Sequence, residues 1–336
     1  MKHLRSYIAV LASLLCSQHL TAQQYRVTNL GNLGYPVTTA QGINDSGEVV
    51  GTAEITSGPY FRRAFIWTTL GGMQSLGALS NGFQAYSGGT SISPGGLVGG
   101  FTTVPEAGLP EAFLWTSTGG MKVVDYGIGY GVNDSGEVVG YFTSGVGRTY
   151  AWSSPLRLNT AGYTGTTAVG VNDGGFVVGS GVGVRTGLQE ALLWTPTNEI
   201  FPLGTLPGGR HSQAFAITST NIVVGSSETA DGTTHAFLWT RASGMHDLGL
   251  LSGFTFCVAK GVNVSGAVVG ECTPARGESH AFIWTSESGM QDLNALIKNT
   301  SYGTITTANG INASGQIVGN AGTGNPEYAL ILNPVE

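Results

Sequence analysis

The stretch Gly261-Val-Asn-Val-Ser-Gly-Ala-Val-Val-Gly270 recurs, with drift, seven times along the chain. Each copy is followed by an aromatic segment such as His280-Ala-Phe-Ile-Trp284 and then by one such as Gly289-Met-Gln-Asp-Leu293. The Val-Gly pair that ends the first segment stands at Gly51, Gly99, Gly140, Gly179, Gly225, Gly270 and Gly319. Successive pairs fall roughly 39 to 49 residues apart, a period that belongs to solenoids, propellers or helical arrays. Scarce residues follow the same beat. All six tryptophans read as one repeat position, and Met73, Met121, Met245 and Met290 read as another.

Each unit reads as four short strands: Ala-x-Gly-Val-Asn, x-Val-Val-Gly, x-Ala-Phe-Leu-Trp and Met-x-Asp-Leu-Gly. They are β-branched or aromatic and bounded by Gly, Asn, Ser or Pro. No helical spacing of apolar residues is sustained beyond the first residues. Four strands per period predict an all-β fold, a seven-bladed β-propeller of four-stranded blades. The last unit runs through Ala329-Leu-Ile-Leu332 without a fourth strand. Tyr25-Arg-Val-Thr-Asn-Leu-Gly31 reads as a fourth strand with no first three. The ring is therefore expected to close by an N-terminal strand completing the last blade, which removes open sheet edges.

Units of Gly-Ile-Asn-x-Ser-Gly-x-Val-Val-Gly followed by His-Ala-Phe-Leu-Trp resemble the bacterial extracellular HAF-repeat family. The literal triplet stands at His235-Ala236-Phe237 and His280-Ala281-Phe282. Other units place Arg63, Glu111, Arg148, Glu190 or Tyr328 where the His stands. The resemblance covers the chain from about residue 25 onward. It implies a secreted or surface protein and brings no catalytic residues.

Residues 1–22 read as a secretory signal peptide, with Lys2, His3 and Arg5 before the apolar run Ile8 to Cys16 and Ala22 at the cleavage point. The run is too short to span a bilayer. Residues 23–336 are expected to form a single repeat domain, monomeric, secreted into the extracellular space or the periplasm. The formal net charge is −6 and charged residues are 10% of the chain, with 54 glycines. That balance suits a turn-rich β protein. It offers no basic stripe for nucleic acid.

The Asn-x-Ser-Gly segments opening at Asn44, Asn133, Asn263 and Asn312 match a glycosylation pattern but read as hairpin turns, with Gly in the left-handed conformation. Asp45, Asp134 and Asp173 fall short of a calcium loop. The tryptophans are expected between neighbouring sheets, where a buried aromatic removes about 150–250 Å² from water. If the turn at Asn263 is a four-residue loop, Val262 faces Ala267 and Cys257 falls opposite Cys272, a disulfide pair suited to an oxidising compartment. A three-residue turn with a bulge would shift the register by one and spoil that pairing. No third and fourth ligands accompany the cysteines, so no metal is expected.

The connections between second and third strands vary in length and hold many of the charges, so that face is the expected ligand face. Arg63, Arg148, His235 and His280 stand before third strands. Arg210 and His211 lie in the crossing Pro207-Gly-Gly-Arg-His211, which departs from its counterparts. These six are the candidate ligand-binding residues. No nucleophile elbow, zinc helix or phosphate loop appears, so neither catalytic residue nor cofactor is assigned. Three readings follow. The first is a non-catalytic scaffold binding a glycan or surface protein through variable loops. The second is an extracellular polysaccharide lyase or hydrolase with its site at the channel mouth. The third is a structural cell-surface protein.

Overall fold

The computed structural model describes residues 23–55, 61–79, 85–103, 109–143, 149–154, 156–298, 301–322 and 326–335. The expected signal peptide lies outside them. The strands form antiparallel four-stranded units ordered inner, second, third, outer. Unit 1 is Thr38–Ile43, Val49–Glu54, Arg62–Thr68 and Gly72–Gly77. Units 2 to 6 start from inner strands Ser87–Ile92, Ile128–Val132, Tyr163–Val171, Ser212–Ile217 and Phe256–Val262. Unit 7 has Ile305–Ile311, Ile317–Ala321 and Tyr328–Val335, and its outer strand is Gln24–Asn29, paired from Gln24↔Val335 to Asn29↔Leu330. Units 5 and 6 share one eight-stranded sheet through a single parallel pair, Thr234↔Phe256.

The Ala-Phe dipeptide explains how the units pack. Adjacent residues on a strand point to opposite faces of the sheet. Phe65, Phe113, Trp152, Leu192, Phe237, Phe282 and Leu330 are all at 0% exposure. Each sits in a core cluster with the alanine of the preceding unit. Phe113 meets Ala64, Trp152 meets Ala112, and Leu192 meets Ala151. Phe237 meets Ala191, Phe282 meets Ala236, and Leu330 meets Ala281. Phe65 meets Ala329 across the seam between unit 7 and unit 1. One residue is the knob and its neighbour is the hole for the next knob. The glycine of Val-Val-Gly is the cross-strand partner of the knob. A Cβ on Gly51 would lie 2.9 Å from the Phe65 ring, and one on Gly270 would lie 2.8 Å from Phe282.

The structure moves two residues of the repeat. Gly100, not Gly99, pairs with Phe113 and takes the constant glycine position. Trp152 pairs with Gly140 and so takes the Phe position. A shift by two residues keeps a side chain on the same face, so unit 3 tolerates it. The tryptophans are consequently not one class. Trp152 and Trp194 are fully buried, while Trp67, Trp115, Trp239 and Trp284 are half-buried at the ends of third strands. The main knob is the Phe position.

The repeated asparagine does more than open a turn. Its Oδ1 accepts the backbone N–H four residues on, from Glu48, Glu137, Phe176, Ala267 and Gln316. Its Nδ2 donates to a carbonyl of the following unit: Asn44 to Ser93, Asn133 to Asn172, Asn172 to Thr218, Asn263 to Asn312. Asn312 donates to the carbonyl of Asn44 at 3.1 Å, which joins unit 7 to unit 1. The closing glycine is left-handed in these turns, and in unit 5 Asn221 takes that role at φ 64°.

Cys257 and Cys272 face each other in register and are disulfide-bonded, with Cα atoms 4.1 Å apart. The route to that register differs from a four-residue loop. Val262 pairs with Val268, one residue later than Ala267, and a bulge at Lys260 then restores the count.

Candidate functional site

The same bulge occurs in every unit. The inner strand slips by one residue against the second strand at Gln41, Thr90, Tyr130, Val169, Phe215, Lys260 and Asn309. A bulge leaves one residue without a cross-strand partner and re-aims its side chain. The residue before it is always a buried Ala or Gly. The residue after it is Gly, Ser or Ala, where neighbouring inner strands approach most closely. A Cβ on Gly261 would lie 3.0 Å from Gly310 Cα, and one on Gly131 would lie 3.1 Å from Val171 N. Packing thus fixes the flanking residues and leaves the middle one free to vary. All seven bulge residues are half-buried.

These seven side chains line a central cavity with two adjoining lobes of about 570 and 510 Å³. Gln41 and Tyr130 belong to both lobes. The first adds Thr39, Thr90, Tyr86, Phe101, Glu54, Arg62 and Glu327. The second adds Tyr141, Thr167, Val169, Gln189, Gln213, Phe215, Lys260 and Asn309. Val37 and Thr39 lie at the end of the inner strand away from the Asn44 turn, and Glu54 and Arg62 flank the second-to-third connection. The first lobe therefore lies toward the face that carries those connections.

The wall is fixed by local contacts. Tyr130 and Tyr141 stack with centroids 5.1 Å apart and planes 8° from parallel, and their hydroxyls are 3.1 Å apart. Burial, reinforced by that hydroxyl bond, pushes the Tyr130 phenol far above the usual tyrosine range, so it is neutral. Arg62 pairs with Glu54 at 3.0 Å. Burial also raises the Glu327 carboxyl, which Arg62 lowers and Glu54 raises to smaller extents. Lys260 pairs with Glu271 at 3.1 Å and donates to Thr307 Oγ1 at 3.3 Å.

The residues expected to bind ligand are not gathered here. His235 Nδ1 lies 2.8 Å from Asp247, and His280 Nδ1 lies 2.7 Å from Asp292. Each is a contact within one unit, from the third strand to the outer strand. Arg63 donates to the carbonyls of Arg62 and Ala85. Arg210 is exposed, and its backbone N–H donates to Glu228 Oε2 at 3.0 Å. His211 Nδ1 accepts from Gln189 N at 3.3 Å. It borders a depression of about 220 Å³ that shares Gln189 and Gln213 with the second lobe. Arg148 lies outside the described residues. The departure of the Pro207 crossing has a packing reason. A Cβ on Gly209 would collide with the Glu228 carbonyl, so the chain hugs its own second strand there. Among the described residues no three His, Cys, Asp or Glu side chains converge in a way that could hold a metal ion.

Sequence reasoning missed the bulge ring. Its signal was present as the one variable position between small residues in Ala-x-Gly-Val-Asn. The His–Asp pairs were legible too, since His occurs with Asp in units 5 and 6, whereas unit 1 has Arg63 with Ser75 in the place of the Asp.

No family model matches the sequence, and no curated protein matches it. Among solved structures the chain is similar to an oligogalacturonate lyase from Vibrio parahaemolyticus, at 10% identity and TM-score 0.58, covering 92% of this chain and 93% of that one. It is also similar to an oligogalacturonate lyase in complex with manganese, at 11% identity and TM-score 0.56, covering 94% of each chain. Likeness at such identities speaks to the fold, and with the sheet topology it makes this chain a multi-bladed β-propeller.

Proposed function

We propose that this protein is a non-catalytic, seven-bladed HAF-repeat propeller that acts outside the cytoplasm and binds a glycan in its central cavity. The observation that carries this reading is the bulge ring. Seven equivalent backbone positions present seven different side chains to one cavity, on inner strands whose flanking residues stay small. The lining suits sugar. Aromatic faces from Tyr86, Phe101, Tyr130 and Phe215 offer apolar platforms, and Gln41, Gln213, Asn309, Thr39 and Thr167 offer hydrogen-bonding groups. Small-molecule sites are mostly apolar with a few placed polar groups, in cavities of about 300–1,000 Å³. The secreted setting rests on the leader segment and on the family resemblance. Among the described residues no helix is long and apolar enough to cross a membrane.

The test is the melting temperature of the protein against a panel of bacterial and plant polysaccharides and their oligomers. A ligand at about 100 times its Kd adds ~2.7 kcal/mol. A shift with one glycan class, reduced by Phe215→Ala and by Gln41→Ala, is the expected result. No shift across the panel would remove the glycan reading and favour a protein partner. The lyase reading shares only its fold with the similar structures. Appearance of unsaturated oligosaccharides from a bound polymer would overturn the non-catalytic assignment.

A further inference from the structure

The two lobes of the cavity meet at a wall that both share. Tyr130 stands in it, with one face against Tyr141 and its hydroxyl bonded to the Tyr141 hydroxyl. Its neutral phenol cannot retreat without losing both the stack and that bond. Gln41, from a unit that is not its neighbour along the chain, completes the shared boundary. Each lobe has its own character. The first carries ionisable groups, Glu54, Arg62 and Glu327. The second carries amides and Phe215, and its one lysine is already paired with Glu271.

We infer that the lobes are two adjoining sugar subsites and that Tyr130 is the platform they share. The ligand is then a chain of at least two linked sugar units that crosses Tyr130, rather than a single monosaccharide. This rests on the saccharide reading above and deepens it. The physical reason is additive contact. A monosaccharide fills one lobe and meets only the part of the platform that borders it. A second unit gains the other lobe without a second loss of translational freedom, which is the large fixed cost of association. Tyr130 needs no rearrangement to serve both, because Tyr141 holds it in place.

The experiment is a calorimetric titration of the whole protein with three size-graded series: galacturonate, β-1,4-glucose and N-acetylglucosamine, each from one to four units. In a series that binds, affinity is expected to rise at least about tenfold from one unit to two, equivalent to ~1.4 kcal/mol. Tyr130→Thr installs the residue that unit 2 carries at the same bulge, as Thr90, so the backbone accepts it. In that variant the gain from the second unit is expected to vanish while monosaccharide binding falls less. Tyr130→Phe, which keeps the ring, retains most of the gain and guards against a folding artefact, with the melting temperature recorded for both. A series whose monosaccharide binds as tightly as its dimer overturns the inference but leaves the glycan reading standing. So does a Tyr130→Thr variant that loses the same factor for every length. If no series binds, both fall together.

Discussion

The interface between neighbouring units and the inner-strand bulges are built from the same repeat, yet they treat sequence in opposite ways. At the interface the same pair recurs, a small alanine facing a large apolar residue, from Ala64 with Phe113 round to Ala329 with Phe65. At the bulge the side chain is Gln, Thr, Tyr, Val, Phe, Lys or Asn. The difference follows from contact. A knob such as Phe237 is wholly enclosed, so any change of volume is felt. A bulge residue has no cross-strand partner and faces a cavity, so its volume is less constrained, and Thr90 and Asn309 use the freedom to donate to the inner-strand carbonyls of Gly129 and Ala40 in the next unit. A ring made by repetition therefore keeps, on each inner strand, one position in which to differ, and those positions converge on one place.

The largest expected effect tests the first half of that contrast. Phe237→Ala should cost about 3–5 kcal/mol by urea unfolding, in the range for buried aromatic truncation. Trp239→Ala, two residues on along the same strand but half-buried, should cost less. Equal costs would mean that the knob has been assigned to the wrong residue. The Asn belt comes next. Asn312→Ala removes its bonds to the Asn44 carbonyl, the Gln316 side chain and the Gln316 N–H. A loss of about 1–3 kcal/mol is expected, since buried partners are left unsatisfied. An unchanged unfolding midpoint would show that the belt follows from ring closure without stabilising it.

Most of the architecture was legible because packing forces the same answer on every unit. The Val-Val-Gly, Ala-Phe and Asn positions repeat since each meets an equivalent neighbour. What failed to read correctly were shifts that leave the pattern intact. Trp152 moved by two residues, which alternation cannot detect, because the side chain stays on the same face. The register at Cys257 came from a longer turn and a bulge that cancel, so a correct pairing was reached by an incorrect count. The cavity was hidden for the opposite reason. It is defined by a position that does not repeat, and its only mark is that variable residue held between two small ones. His235 and His280 drew attention as scarce polar residues at loop ends, but each is occupied by an aspartate within its own unit.

The second half of the contrast is sharpened by moving a residue around the ring. Val169→Gln gives unit 4 the bulge residue that unit 1 carries as Gln41. Stability should change by no more than about 0.5 kcal/mol, as at unconstrained sites. The ligand-induced melting shift should change, because the second lobe loses an apolar surface. A destabilisation as large as that of Phe237→Ala would erase the distinction between the two regions.

The smallest effect concerns a carboxyl at the seam, where bulge ring and unit interface meet. Glu327 lies half-buried in the wall of the first lobe, on the chain segment that bridges to Val37 of unit 1. Burial raises its pKa above the ordinary 4.5, with Arg62 opposing and Glu54 reinforcing. The folded protein therefore keeps this proton at pH values where the unfolded chain has released it. The contribution to stability is fully present below the ordinary glutamate range and is lost as pH rises through the raised folded-state value. Glu327→Gln removes the titration while keeping the shape of the side chain. The difference in melting temperature, wild type minus variant, should fall as pH rises from the ordinary glutamate range upward. A difference that stays flat would place Glu327 in water in the folded protein. A difference that rises would mean that Arg62 outweighs burial at this carboxyl, and the first lobe would then hold a fixed negative charge at all neutral and mildly acidic pH.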